Sequence, residues 1–169
     1  MHSSSFDFLH FTNPVSWETK NLDYIKSKFY AAYERGNVLT FCWHYYNPVT
    51  GNNFYDTTQV VKHILPGGSR HETFKSDLKI IADFAHNAKN HAGELIPIIF
   101  RPWHEFDGNW FWWGRNHCTV EEFKELYRFT VTYLRDSLQV HNFLYAFSSD
   151  CGFTTEKEFL ERYPGDEYV

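Results

Sequence analysis

The chain has 169 residues, with 16 Lys and Arg against 21 Asp and Glu, a formal charge of −5. No basic block is present, which argues against nucleic acid or an anionic membrane as partner, and no apolar run reaches the roughly 18–20 residues that span a bilayer. Met1-His2 and the serines that follow lack the charged and apolar regions of a secretory signal, so none is expected in this chain. The three cysteines, Cys42, Cys118 and Cys151, have no CxxC spacing. That excludes a disulfide framework and argues against structural zinc, so no metal and no cofactor is expected. Aromatic residues make up 20% of the chain, which fits either a bulky core or a surface that stacks on sugar rings.

Leu22, Ile25, Phe29 and Ala32 share a helical face over residues 19–35, and Gly36 stands where a helix-ending glycine belongs. Residues 38–43 are a short apolar run and predict a strand. A second helical stripe, Phe74, Leu78, Ile81, Ala85 and Ala88, covers residues 72–91. Residues 95–100 predict a second strand, with Pro97 near its start. Thr119 and Glu122 form a capping box opening a helix through Leu134, and residues 142–147 predict a third strand. Thr155 and Glu158 form another box, opening a short helix to Tyr163. Residues 164–169 turn and predict the start of one more strand.

Apolar strands alternating with helices imply a parallel sheet with covered faces. The single domain is either a small open sheet or part of a (β/α)8 barrel, which typically needs about 250 residues; the barrel is the preferred reading. Loops from helix to strand are short. The loops from strand to helix run to roughly 28 residues after Trp43 and roughly 17 after Arg101, against a usual 2–6. Ligands of α/β proteins bind at the carboxyl ends of the strands, so these loops mark the place for a site.

The loop 101–114 holds Arg101, His104, Glu105 and four of the six tryptophans: Trp103, Trp110, Trp112 and Trp113. The four consecutive aromatics 110–113 need either a ligand or a plug-like burial over the sheet. Trp110 and one of Trp112 or Trp113 are expected to face a cleft. A carboxyl among indole rings is poorly solvated, which suits a general acid. A glycosidic bond needs two carboxyls, one as proton donor and one as nucleophile or base. His104-Glu105 is not a helical zinc motif, because Gly108 stands where the second histidine is required. Asp150, past the third strand, is a helix cap or turn former before it is a site residue, and Asp107-Gly108 is first a turn.

The run from Arg101 to Gly114 resembles the signature of family 26 glycoside hydrolases, chiefly endo-β-1,4-mannanases on (β/α)8 barrels. Residues 43–51, 64–68 and 142–147 are similar to further segments of that family, so the likeness covers the chain from about Asn21 onward. The resemblance implies a partial barrel of about three to five of the eight units. It implies a retaining hydrolysis of β-1,4-mannosidic linkages, with Glu105 as general acid/base. His104 would hydrogen-bond within the site, Arg101 would orient the catalytic carboxylates, and Trp110 would line the subsite at the cleaved bond. His44 would contact substrate nearby, unless it merely caps a strand end. The substrate implied is β-mannan or a mannooligosaccharide, and the location secreted or periplasmic. No glutamate here matches the family's nucleophile, which is expected beyond Val169, and the first strand of the barrel is expected to be missing. A non-catalytic carbohydrate-binding protein, or a β-glycanase acting on glucan or xylan, is the alternative.

Overall fold

The computed structural model describes residues 2–13, 22–150 and 155–169. Four strands form one parallel sheet in chain order: β1 (Ser3–Asp7), β2 (Val38–Cys42), β3 (Ile98–Arg101) and β4 (Phe143–Tyr145). The helices are α1 (Leu9–Thr12), α2 (Leu22–Glu34), α3 (Val61–Ile64), α4 (His71–Asn87), α5 (Val120–Thr132) and α6 (Glu156–Glu161).

The sequence reading predicted no strand before residue 38, and the structure adds one. Residues 3–7 pair with β2 along their whole length, from Ser3 opposite Val38 to Asp7 opposite Cys42. Ser3-Ser4-Ser5 carries no apolar signal, and the strand forms because β2 offers it a ladder. The three predicted strands are present but shorter. Pro97 stands immediately before β3, as its missing N–H requires. Leu95 instead makes an isolated antiparallel bridge with Lys89. The predicted helix over 72–91 ends at Asn87. The predicted helix at 19–35 is α2, and its first residues lie outside the described ones. The strand expected in the last residues is a 3-10 turn, Asp166–Tyr168. Both capping boxes form, at Thr119 with Glu122 and at Thr155 with Glu158.

Phenylalanines carry the core between sheet and helices. Phe8, just past β1, stacks on Phe41 at 4.3 Å and meets Phe100 edge-on at 5.2 Å. Phe29 of α2 and Phe84 of α4 close over Phe41. Alternate residues Leu39, Phe41, Ile98 and Phe100 point into this layer and are buried. Residues of opposite parity, Cys42 and Arg101 among them, face the other side of the sheet. Each strand hands its chain to a loop at the same rim, and the polar residues gather there.

Candidate active site

Three strand ends build the site. Asp7 is the last residue of β1, His44 lies two residues past β2, and His104 and Glu105 follow β3. Parallel pairing places all of these at one rim. Asp150 follows β4 on the same side, and its backbone N–H donates to Asp107 Oδ1 at 2.7 Å.

The loop after β3 is held tightly. Trp103 and Glu105 both have positive φ, 54° and 55°. Non-glycine residues adopt this conformation at a cost of order 1–3 kcal/mol, so surrounding contacts must hold it. Trp103 Nε1 donates to Thr130 Oγ1 of α5, and Glu105 N–H donates to Ser148 O at 3.0 Å. Trp113 Nε1 donates to the His104 carbonyl at 2.9 Å. Trp112 Nε1 donates to the Tyr45 carbonyl at 2.8 Å. The alternating backbone sends Trp103 down into the core and brings Glu105 up to the rim.

The aromatics of this loop divide differently from the expectation. Trp103, Trp112 and Trp113 are all buried in the core. Neither Trp112 nor Trp113 presents an open face, so the plug-like burial describes these three. Trp110 alone among the four tryptophans is half-exposed. Its Nε1 donates to Glu105 Oε2 at 2.9 Å, so the exposed indole holds the carboxylate. Phe111 turns inward and meets His44 edge-on at 5.3 Å. It stacks on Trp113 at 4.4 Å. Phe54, from the loop after β2, packs on His44 at 4.6 Å.

A short hydrogen-bond chain crosses the rim. Asp7 Oδ2 accepts from His44 Nδ1 at 2.5 Å, and Asp7 Oδ1 accepts the backbone N–H groups of His44 and Leu9. An ionised carboxylate can only accept, so His44 Nδ1 carries a proton. His104 Nε2 stands 3.2 Å from His44 Nε2, within hydrogen-bond distance. His104 Nδ1 is buried without a hydrogen-bond partner. Burial of Asp7 opposes ionisation, but the hydrogen bond and charge of His44 and two backbone amides outweigh it, so its carboxyl stays below the usual range. Burial, then the charges of His44 and Arg101, push the His104 imidazole down to about 3. His104 is therefore a neutral ring.

Arg101 does not reach the Glu105 side chain directly. Its Nε and Nη2 both donate to Ser148 Oγ at 3.2 Å, and the Ser148 carbonyl accepts the Glu105 N–H. It thus supports the backbone under Glu105. The sequence reading overlooked Asp7, Phe111, Phe54 and Ser148. Asp7 escaped because β1 went unrecognised; a polar residue ending a strand would have been its signal.

The sequence profile described as glycosyl hydrolase family 26 matches residues 6–169. The chain belongs to glycosyl hydrolase family 26. It is 49% identical over 136 residues to a mannan endo-1,4-beta-mannosidase of Bifidobacterium adolescentis, covering 80% of this chain and 14% of that protein. Among solved structures, GH26C from a Muricauda species superposes with a TM-score of 0.90 at 44% identity, covering 98% of this chain and 48% of the other. A GH26 beta-mannanase from Bacteroides ovatus gives 0.88 at 35% identity, covering 99% and 49%. The chain thus spans less than half the length of these relatives. Their folds are (β/α)8 barrels, and the four strands of this family 26 chain are consecutive strands of such a barrel. Among the described residues, no helix is long and apolar enough to cross a membrane.

Proposed function

We propose that this family 26 chain contributes the acid/base half of a retaining β-1,4-mannanase site. The observation that carries the reading is Glu105, raised to the rim by its backbone and held at Oε2 by the Trp110 indole. The relatives' names support mannan over glucan or xylan as the polymer, and endo-cleavage as the mode. Glu105 gives a proton to the departing glycosidic oxygen, then takes one from water as the intermediate is hydrolysed. The half-exposed face of Trp110 lies beside that carboxyl, where a sugar ring stacks. His44, partly exposed and linked to His104 at 3.2 Å, borders the place of the substrate beside Glu105, and Arg101 steadies the backbone through Ser148.

A retaining mechanism places its nucleophile about 5–5.5 Å from the acid/base carboxyl. In this reading the second carboxylate comes from the part of the barrel that these 169 residues do not include, and the enzyme acts outside the cell on polysaccharide. The test is reducing-sugar release from β-mannan. A protein carrying the whole barrel should release sugar, and its Glu105→Gln variant should lose most turnover. The 169-residue chain alone should release none. Undiminished turnover by Glu105→Gln would remove Glu105 from the mechanism. Binding of mannooligosaccharide by the whole barrel without turnover would instead identify a carbohydrate-binding protein.

A further inference from the structure

The hydrogen-bond chain at the rim has a neighbour that the hydrolytic reading leaves idle. Cys42 ends β2, two residues before His44, so both side chains leave the strand on the same face. One ligand atom from each of Cys42, His44 and His104 lies within 4.8 Å of the others. Cys42 Sγ is 3.9 Å from His44 Nδ1, and the two Nε2 atoms are 3.2 Å apart. Two imidazole nitrogens on one tetrahedral zinc, each about 2.0–2.1 Å from the ion, stand about 3.3 Å from each other. The two Nε2 atoms are therefore already spaced as ligands, while Cys42 Sγ faces the Nδ1 edge of the His44 ring and turns about its Cα–Cβ bond to reach the same ion.

We propose that Cys42 Sγ, His44 Nε2 and His104 Nε2 form a site for a soft divalent cation of the zinc class. The donor set is one thiolate and two imidazoles, the combination that selects zinc or cadmium over magnesium or calcium. Asp7 on His44 Nδ1 completes the carboxylate–histidine arrangement that orients a metal-bound ring. His104 Nδ1 is buried without a hydrogen-bond partner and can hold the ring proton when Nε2 becomes a ligand. The Cys42 thiol, which burial and then Asp7 hold protonated, gives up its proton to solvent as the metal–sulfur bond forms. The negative charge of Asp7 offsets the positive charge of Arg101 nearby. Phe54 and Phe111 wall the histidine side. An ion here occupies the His44 ring, which borders the place of the substrate in the proposed function. Binding of the ion does not depend on that assignment; only its competition with sugar does.

The experiment is titration of the 169-residue chain with Zn²⁺ and with Cd²⁺ by calorimetry and by ultraviolet absorption. One ion per chain is expected, with a thiolate-to-cadmium charge-transfer band, and no response to Mg²⁺. Cys42→Ser should abolish the band and weaken Zn²⁺ binding about tenfold or more. Asp7→Asn should weaken it about tenfold while keeping the band, which a casual thiol contact would not do. Zinc should also protect Cys42 in the unmutated chain from alkylation, read by peptide mapping, so a variant that fails to fold does not block the test. Equal zinc affinity in wild type and a folded Cys42→Ser variant, or alkylation of Cys42 unaffected by zinc, would overturn the site.

Discussion

At the residue scale, burial governs the protonation of His104 at the rim, and hydrogen bonds and charge govern that of Asp7. His104 is kept neutral down to about 3, from an ordinary value of 6.5. Its folded value lies below its unfolded one, so the unfolded chain binds more protons between those limits. That stabilisation is fully present above about 6.5 and is lost progressively as pH falls toward 3. Asp7 acts in the same direction at lower pH: its contribution is present above the ordinary 3.8 and is lost as pH falls through its depressed value. The melting midpoint should therefore fall on acidification from about pH 7 to about pH 4, and more shallowly in His104→Asn. Equal slopes in wild type and variant would mean that His104 is not held neutral by the fold. Trp110→Phe keeps a ring at the rim but removes the donor to Glu105 Oε2. Hydrogen bonds to charged groups are worth about 1.5–3 kcal/mol, so kcat in the whole-barrel protein should fall about tenfold or more. The measurement is steady-state turnover on mannan, and an unchanged kcat would leave the indole no part in holding the acid/base.

At the scale of elements, two glycines shape the loop after β3. A Cβ on Gly108 would meet the Trp110 ring at 2.4 Å, and one on Gly114 would meet the Gly108 carbonyl at 2.3 Å. The loop closes on itself only with glycine at both places. Gly108→Ala should displace Trp110 from Glu105 while leaving the strands intact. Indole fluorescence should change with far-ultraviolet circular dichroism unchanged; an unaltered emission spectrum would count against the clash. The following helix α5 begins with the Thr119–Glu122 box, where each side chain bonds the other's backbone N–H. Thr119→Ala should cost about 1 kcal/mol in urea unfolding, with no change at the site. Arg162 ties the end of α6 to the same loop. It is buried, donates to the Arg115 and Cys118 carbonyls, and lies over the Phe123 ring at 5.3 Å. The Trp loop is thus clamped from β4, α5 and α6 at once, which is how two residues with positive φ persist there.

At the scale of the whole molecule, the tryptophans that made the loop conspicuous are mostly structural. Trp43, Trp103, Trp112 and Trp113 are fully buried and in ring contact. They form a second core above the phenylalanine layer and fill the mouth of the sheet. Trp112→Ala removes one indole and its bond to the Tyr45 carbonyl. A loss of about 3–5 kcal/mol is expected, and the chain should melt many degrees lower. A variant that melts within a degree or two of wild type would mean that this upper core adds little to stability. Stability and chemistry are therefore coupled through one loop: its inward rings anchor it, and its outward Trp110 and Glu105 use the anchorage.

The sequence alone determined the alternation of helix and strand, both capping boxes and the long loops at one rim. Those features are local: apolar period, cap residues and loop length are read within a few turns of chain. It also singled out the run from Arg101 to Gly114, because a dense polar and aromatic stretch after a strand is visible without contacts, while His44 and the roles within the run came from the resemblance to family 26. Only the tertiary structure decided the rest. Strand β1 reads as three serines and forms because β2 supplies hydrogen-bond partners. Which indoles face outward was undecidable from four adjacent aromatics, since distant partners hold them: Trp112 bonds the Tyr45 carbonyl, Trp113 the His104 carbonyl and Trp110 the Glu105 carboxylate. Arg101 could have served Glu105 directly, and it is Ser148 from β4's loop that takes its bonds. Asp7, Cys42, His44 and His104 lie on three different strands or their loops, up to 97 positions apart in number, and become neighbours through the parallel register alone. A pairing register is a property of two strands together, and no stretch of one chain segment encodes it.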